Sequence, residues 1–426
     1  MAADRKKHKF KFSFSNLFKR TKNAKNINQV NTKPKKNKKK PSDNDEQTSK
    51  LKLINGTRKR RRIIRIIVYA VIVAIIITLI VINALTPTGL IEAMQNGYAT
   101  WGEGKFPIAV YSSNATDFNC RNGVVGIVND SFFELYDDEG KLLQAVSHGM
   151  SDPVLETSEA RFVLYDRDRY TLNVYNYSDE LYSTEYDKPI VAADIGRDGT
   201  YAVVTDSDTS KNIVFVYDKD NESVYKWSSA NYYITDVAVS NDGEKIAVSL
   251  INSNGGIFES YIYVLDFDNA EPKYRFNFND IVSSVTSCSE DYLLVNGFDR
   301  AYSVPWNGGG EIDLDLSGAV RCFDYELCGG FCLVFGREDN EQVNTVTVLN
   351  SKGNITASFE FNSNVYDVSI SETRVAVLSD NEVFVYDRKG NLKNNYKLQK
   401  EANFVGISED GNVIVLDNTE LVRISE

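Results

Sequence analysis

The side chains that most often carry catalysis or bind metals are scarce in this chain. Its 426 residues include only two His and five Cys. Two His cannot form a polyhistidine metal centre, and five dispersed Cys are too few for a disulfide-dense scaffold or for paired zinc clusters. His148 is the one His outside the first ten residues, and we interpret it as a solvated or hydrogen-bonded loop residue.

Acidic side chains are abundant, but their spacing matches a known ligand pattern poorly. The segment Asp206-Ser-Asp208-Thr-Ser210 has the alternating oxygens of a calcium loop. Lys211 stands where such a loop needs Gly and Tyr217 where it needs Glu, so we predict an acidic hairpin turn. The groups at 218–222 and 266–268 are weaker matches still. The chain also lacks Walker, dinucleotide-binding and serine-elbow motifs. We therefore assign no catalytic, cofactor-binding or metal-binding residue, and we expect no cofactor and no enzyme activity.

The charge of the chain is divided between two unlike parts. Residues 1–65 hold 23 Lys and Arg against four acidic residues, whereas the rest hold 25 against 55. The two parts carry +19 and −30, and together they give the overall net charge of −11. Such asymmetry indicates two compartments or two partners.

An uncharged apolar run, Ile66–Ile82, separates the two parts. Its continuation to Leu85 is long enough for a helix to cross the roughly 30 Å hydrocarbon layer. Six bases between Arg58 and Arg65 precede it, and positive charge stays on the cytoplasmic side. The run is too long, and begins too far into the chain, for a cleaved signal peptide. We predict an uncleaved single-pass signal anchor in the cell membrane, with the acidic part outside.

The basic segment before the span contains almost no apolar residues from 21 to 62, so we expect it to be disordered. Its Lys run at 35–40 suits electrostatic attachment to the anionic inner leaflet, at about 1 kcal/mol per base, although a plain topology signal and linker explains it equally well. Nucleic acid is a less favoured partner. One helical face or a short strand could equally explain the apolar residues Phe10, Phe14, Leu17 and Phe18.

The acidic part repeats itself. Residues 117–140 align without a gap on residues 367–390, and both read as three short strands separated by turns. Bursts of Val, Ile, Phe and Tyr alternate with Asp-Gly and Tyr-Asp-x-x-Gly turns, which is the period-two pattern of strands. The first position of each copy falls at Asp117, Val154, Ala192, Asp236, Ser284, Cys322, Asp367 and Phe404.

A period near 40 residues with four strands per unit is typical of a β-propeller. Eight copies predict an eight-bladed all-β ring; seven blades is the alternative if the first and last copies share a blade. The last copy has room for only three strands, at 405–408, 413–417 and 421–424. We expect the unrepeated strand 106–112 to supply the fourth and so close the ring.

The repeat alignment also bears on the cysteines. Cys332 aligns with Ile246, a predicted core position, and Cys328 with a turn residue. Hairpin register places Cys332 opposite Tyr325 rather than opposite another Cys. We expect Cys120, Cys288, Cys322, Cys328 and Cys332 to be mainly small buried hydrophobes, and a bridge among the last three is the alternative.

The run Asp-Val-Ala-Val-Ser-Asn-Asp-Gly-Glu-Lys-Ile-Ala-Val at 236–248, with Val-Tyr-Asp-x-x-Gly at 385–390, resembles WD40-like and quinoprotein-like bacterial propellers. The layout over residues 63–426 resembles an uncharacterised family of single-pass propeller proteins from Gram-positive bacteria. That resemblance implies location and architecture and brings no catalytic residues. Gly-His and Trp-Asp dipeptides are absent, so the buried polar network of eukaryotic WD40 repeats is not expected.

The expected organisation has four parts: a disordered basic cytoplasmic tail (1–62), a signal-anchor helix (63–85), a linker (86–105) and an extracytoplasmic propeller (106–426). We expect a scaffold or sensor that binds an envelope protein or ligand through the propeller loops. The alternative is a hydrolase or a quinoprotein-type oxidoreductase acting in the central channel. Signalling through the span to the basic tail would need a separate cytoplasmic partner, and the sequence leaves the ligand, the biological process and the oligomeric state open.

Overall fold

The structure is a computed structural model. It describes residues 43–424 apart from 112, 113, 288, 299, 311, 315–317, 327, 328, 338, 339 and 409. The predictions for residues 1–42, including the Lys run and the aromatic segment, lie outside the described residues, as do those for Cys288 and Cys328. The chain divides at Ala74 into two compact units, and the second contains all the strands described below.

Two helices precede the strands, α1 (Asp43–Leu85) and α2 (Leu90–Ala99). The predicted disordered tail extended to residue 62, but the helix begins at Asp43. Within α1, Arg62–Ala84 is 23 residues long with a mean hydropathy of 3.0 and is apolar enough to cross a membrane. The predicted linker 86–105 contains α2, whose N-terminus has no capping side chain.

Eight four-stranded antiparallel sheets follow, which confirms the predicted eight-bladed propeller. The first four blades consist of β2 (Ala115–Arg121), β3 (Val124–Asn129), β4 (Phe132–Asp137) and β5 (Leu142–Ser147); β6 (Pro153–Thr157), β7 (Phe162–Asp166), β8 (Thr171–Tyr175) and β9 (Glu180–Glu185); β10 (Ile190–Ile195), β11 (Tyr201–Asp206), β12 (Asn212–Tyr217) and β13 (Ser223–Ser229); β14 (Tyr233–Val239), β15 (Lys245–Asn254), β16 (Ile257–Asp266) and β17 (Tyr274–Phe278).

The next three blades have the same order, and the eighth borrows a strand from the start of the propeller. They consist of β18 (Val282–Ser287), β19 (Tyr292–Gly297), β20 (Ala301–Pro305) and β21 (Ile312–Asp313); β22 (Ala319–Glu326), β23 (Gly330–Arg337), β24 (Asn340–Asn350) and β25 (Ile355–Phe361); β26 (Asp367–Ile370), β27 (Arg374–Ser379), β28 (Glu382–Asp387) and β29 (Leu392–Lys397); β30 (Ala402–Ile407), β31 (Val413–Asp417), β32 (Glu420–Ile424) and β1 (Ile108–Ala109).

The ring closes as predicted, because β1 pairs antiparallel with β32, with Ile108 opposite Leu421. The backbone N–H of Val110 also donates to the carbonyl of Thr419 (3.1 Å). The paired part of the predicted strand is short, since only two of its residues join the ladder. This closure completes the last blade and removes an open sheet edge at the end of the ring.

Apolar side chains fill the eight interfaces between neighbouring blades. Each interface has its own cluster; the one between blades 8 and 1 contains Val125 and Ile127 from one side and Ile414 and Leu416 from the other. The second strand of a blade is covered on both faces, so β3 and β7 are buried at every residue. Burial of each such side chain stabilises the fold by roughly 1.5–3 kcal/mol, which explains why these strands read as continuous apolar runs.

The Asp-Gly turns predicted from the sequence connect first and second strands. Gly243 has φ +68°, and a Cβ there would lie 2.1 Å from the carboxylate of Asp198 in the preceding blade. A side chain is therefore excluded both by the left-handed backbone and by the neighbour. The Tyr-Asp-x-x-Gly motif forms the outer turn, where the Asp387 carboxylate accepts the N–H groups of Lys389 and Asn391 (both 2.9 Å).

Helix α2 packs on the face of the propeller that these turns form. Its Glu92 makes a two-pronged, buried ion pair with Arg161 (2.8 and 2.6 Å), which sits in the first turn of blade 2. Asn96 accepts the N–H of Tyr177 (3.3 Å), and Lys141 donates to the carbonyl of Ala99 at the end of the helix (2.5 Å). The linker helix is thus docked through its polar residues.

Candidate functional site: the central channel

The first strand of each blade faces the central channel, and its residues follow one numbering. Six of the eight first strands have a bulge immediately before the residue that begins the repeat, at Asp117, Ala192, Asp236, Ser284, Cys322 and Phe404. We number that residue position one. The bulge shifts the strand register by one residue at this point, and its place matches the first position of the sequence repeat.

In three blades a carboxylate at position one connects the blade to the next. Asp117 accepts the N–H of Leu155 (3.1 Å). Asp236 accepts the N–H of Val285 (2.9 Å). Asp367 does the same for Val405 (2.9 Å). In each case the donor is at position two of the following blade.

A second set of bonds, two residues further along, uses the same geometry. Asp194 accepts the N–H of Val239 (2.6 Å), and Asp324 accepts that of Ile370 (2.9 Å). Ser369 replaces the carboxylate in blade 7 and accepts the N–H of Ile407 (3.2 Å). These donors are at position four. The inner strands have an unpaired edge toward the channel, and such N–H groups need partners; the acidic side chains provide them.

Burial raises the pKa of several carboxyl groups in the channel. Burial raises the pKa of Asp194 and of Asp236 to about 7, and that of Asp367 to about 8, although backbone N–H groups oppose the shift. Burial, then repulsion from Asp194 and Asp236, raises the pKa of Glu156 well above its usual range. Among the described residues the Glu156 carboxylate has no hydrogen-bond partner. Burial thus favours the protonated form of these four carboxyl groups.

Arg121 crosses the channel at one end. It extends from blade 1 to Asp324 of blade 6 (2.7 Å), and its guanidinium lies over the ring of Tyr325, 3.6 Å from the ring centre. It also donates to Thr157 of blade 2 (3.2 Å). One cation thus links blades 1 and 2, which are neighbours, to blade 6 across the channel. This contact was not predicted, because a single Arg at the end of a strand forms no sequence pattern that relates it to Asp324.

Beyond Arg121 the channel opens into a polar cup of about 400 Å³, which we call the acidic mouth. Its wall includes Glu326, which pairs with Arg388 (2.9 Å). Glu372 and Asp410 line the same cup, are exposed and have no ion-pair or hydrogen-bond partner among the described residues. The mouth is on the same turn face as α2. Arg121 also lines the cup, on its inner side, whereas the exposed carboxylates at its rim can attract a cationic group.

The His and the acidic segment considered above as candidate sites make structural contacts. His148 accepts the N–H of Met150 at Nδ1 (3.0 Å) and contacts the carbonyl of Asn129 at Nε2 (2.9 Å), so it is a hydrogen-bonded loop residue as predicted. The acidic segment at 206–210 is the hairpin turn between β11 and β12. Its Asp208 pairs with Lys188 (2.7 Å).

The other acidic segments are also turns. Asp218 accepts the N–H groups of Asp220 and Glu222 (3.0 and 2.8 Å), and Asp266 pairs with Lys273 (3.2 Å). Over the described ranges, no group of three or more His, Cys, Asp or Glu is arranged to hold a metal ion.

The described cysteines behave as small core residues. Cys120, Cys322 and Cys332 are free thiols. Burial raises the pKa of Cys120 to about 12, which makes its thiol unreactive. The predicted register of Cys332 was wrong by one residue: it pairs with Asp324, not with Tyr325. Glu326 pairs with Gly330, so the three residues between them form the hairpin loop, and this loop sets the register of Cys332.

The fold and the channel define this protein as a β-propeller. The chain belongs to a family of unknown function, DUF5711, whose model matches residues 109–425. No curated protein matches the sequence.

Solved structures with a similar fold include the C-terminal WD40 domain of Sif2, at 15% identity and a TM-score of 0.52, covering 76% of this chain and all of that one. A eukaryotic initiation factor is similar at 12% identity and a TM-score of 0.48, over 75% of this chain and 85% of its own. BamB from Moraxella catarrhalis is similar at 10% identity and a TM-score of 0.47, over 75% and 99%. At these identities the likeness extends to the fold and not to function.

Proposed function

We propose that this protein is a membrane-anchored binding scaffold whose propeller recruits a basic partner at the outer surface of the cell envelope. The observation that carries the proposal is the acidic mouth, where Glu372 and Asp410 are exposed and unpaired among the described residues while five carboxylates deeper in the channel accept backbone N–H groups. The inner carboxylates hold the ring together. The outer carboxylates, Glu372 and Asp410, are available to bind a partner.

The anchor in this proposal is the apolar part of α1, Arg62–Ala84. Positive charge before it favours a cytoplasmic N-terminus on the anionic inner leaflet and an extracytoplasmic propeller. The layout resembles single-pass propeller proteins of Gram-positive bacteria. The excess of acidic residues beyond the span supports a cationic partner, because attraction between opposite surface charges speeds association and selects partners.

The alternative of a channel enzyme is less well supported. Asp117, Asp194, Asp236, Asp324 and Asp367 each already accept a backbone N–H from the next blade, and a structural role explains their positions. Moreover, Arg121 bridges the channel at the mouth, so a substrate entering there would have to displace an ion pair.

Capture from envelope extracts tests the binding proposal. The full chain, reconstituted in nanodiscs, should retain a set of basic proteins at about 0.1 M salt and release them at about 0.5 M, where the Debye length falls to a few ångströms. The double variant Glu372→Lys, Asp410→Lys should lose the set. Asp187→Lys is the matched control, since Asp187 is exposed in a loop on the opposite face. Equal capture by the mouth variant and the wild type would contradict the proposal.

A further inference from the structure

The face of α2 that points away from the propeller is apolar and exposed. Ile91, Met94 and Tyr98 follow one another at helical spacing, and Trp101 continues the stripe; their exposed fractions are 76%, 67%, 74% and 78%. Together with Leu142 they line an open groove of about 770 Å³. Large apolar side chains exposed side by side are uncommon on soluble proteins and mark an interaction surface.

The opposite face of the same helix carries its polar groups. Glu92 is the only charged residue in α2, and it is buried against Arg161. Asn96 is buried as well and bonds to the backbone of blade 2 through Ala160 (3.4 Å) and Tyr177 (3.3 Å). The helix is therefore inverted relative to an ordinary surface helix, which buries its apolar side and exposes its polar side.

A tight joint connects α2 to the end of the apolar span. The side-chain oxygen of Asn83, in the last turn of α1, accepts the N–H of Leu90, the first residue of α2 (2.9 Å). Thr86 donates its N–H to the carbonyl of Ile82 (3.1 Å), and Gly89 donates to Thr86 (3.2 Å). Because the hydrogen bond joins the two helix ends directly, α2 begins beside the C-terminal end of the apolar span.

We infer that the outward face of α2 lies on the lipid surface of the outer leaflet and seats the propeller there. This inference rests on the proposed membrane anchor. An uncharged stripe with Tyr and Trp at its C-terminal end has the composition of protein segments that lie at the membrane–water interface, where aromatic side chains are enriched. Lipid is present wherever the span is inserted, whereas a protein partner would have to reach a face that the joint holds beside the bilayer.

The docked helix shares its face of the propeller with the acidic mouth. Arg161 and Tyr177, which hold α2, belong to turns on the same side as Glu372 and Asp410. Seating α2 on lipid turns this side toward the membrane. The partner of the mouth should then be a basic segment close to the same membrane surface, such as the stretch that follows another protein's span.

Quenching of tryptophan by brominated lipid tests the inference. The full chain is reconstituted into phosphatidylcholine–phosphatidylglycerol vesicles with and without dibrominated phosphatidylcholine, which quenches indole on contact. The chain contains three Trp residues, of which Trp306 is buried and Trp227 is half-buried on another blade. We expect brominated lipid to quench part of the wild-type emission, Trp101→Phe to abolish that part, and Trp227→Phe to leave it unchanged.

Two further measurements separate the outcomes. Alkaline extraction reports whether the chain is integrated; a chain that is extracted shows that the anchor itself is wrong, and the seating of α2 with it. An integrated chain whose Trp101 is not quenched by brominated lipid overturns the inference but leaves the anchor intact. If Trp101 in that case is also shielded from soluble acrylamide, a protein covers the face instead, and a second copy or a partner replaces lipid as its occupant.

Discussion

The channel carboxylates give the propeller an unusual dependence of stability on pH. In the folded protein burial raises the pKa of Asp236 from its ordinary value of 3.8 to about 7. Between these two values the folded state binds more protons than the unfolded state, so the free energy of unfolding falls as pH rises. The contribution is fully present below the unfolded pKa and is lost as pH rises through about 7.

The size of the effect follows from the same shift. A difference of about three pKa units corresponds to about 4 kcal/mol for an isolated group. Only the part between pH 5 and about 7 falls within the range tested, and relaxation of the protein around the charge reduces it further, so we expect about 2 kcal/mol from Asp236 between pH 5 and pH 8. Asp236→Asn keeps an oxygen for the N–H of Val285 and removes the titration. The variant should therefore lose less stability than the wild type over this range.

Denaturant unfolding of the full chain in nanodiscs at pH 5, 6, 7 and 8, followed by the fluorescence of buried Trp306, measures this. Asp268→Asn is the matched control, because Asp268 is an exposed carboxylate in the turn that ends the third strand of the same blade, outside the channel. The reasoning is refuted if wild-type stability rises from pH 5 to pH 8. It is equally refuted if Asp236→Asn and Asp268→Asn show the same slope with pH.

Three other substitutions test the connections around the ring. Arg121→Gln should destabilise the propeller by about 1–3 kcal/mol, because it leaves a channel carboxylate without its cation. An unchanged unfolding midpoint would contradict a stabilising role for the Arg121–Asp324 ion pair. Glu92→Gln should speed amide hydrogen exchange in α2, since it removes one half of a buried ion pair, while exposed Gln95→Ala should not. Ile108→Asp should cost about 2–4 kcal/mol at the closing strand, whereas Ala109→Asp, which points outward on the same strand, should shift the unfolding midpoint little.

Much of the architecture was predictable because it depends on short-range patterns in the sequence. Alternating apolar bursts and Asp-Gly turns report strands and hairpins directly, and the gapless match of residues 117–140 to 367–390 is enough to imply repeated blades. Even the closure of the ring followed from counting, since the last copy lacks one strand. The eight-bladed fold and the β1–β32 pairing are confirmed.

The channel was harder to predict because its contacts join residues far apart in sequence. Asp recurs at position one in only three of eight copies and at position three in two, so the periodicity alone carried little signal. The length of the hairpin loop between Glu326 and Gly330 set the register of Cys332 one residue away from the predicted one. Arg121 and Asp324 are 203 residues apart, and nothing local relates them. Helix α2 was not predicted for a different reason. Its apolar side faces away from the propeller, so a search for apolar residues that pack into a core does not find it.

The same geometry explains why the channel keeps carboxylates despite their cost. The inner strands present unpaired N–H groups toward the channel, and a buried N–H without a partner costs about 1–3 kcal/mol. Ser369 shows that a neutral oxygen can satisfy such a group, as it does for Ile407. A short Ser side chain brings one acceptor, whereas Asp236 brings two and also accepts the N–H of Val237 (2.9 Å). The ring thus gains two hydrogen bonds from one side chain, but burial makes the charged form of that side chain costly. Its stability should therefore be greatest when the acids with a raised pKa hold their protons.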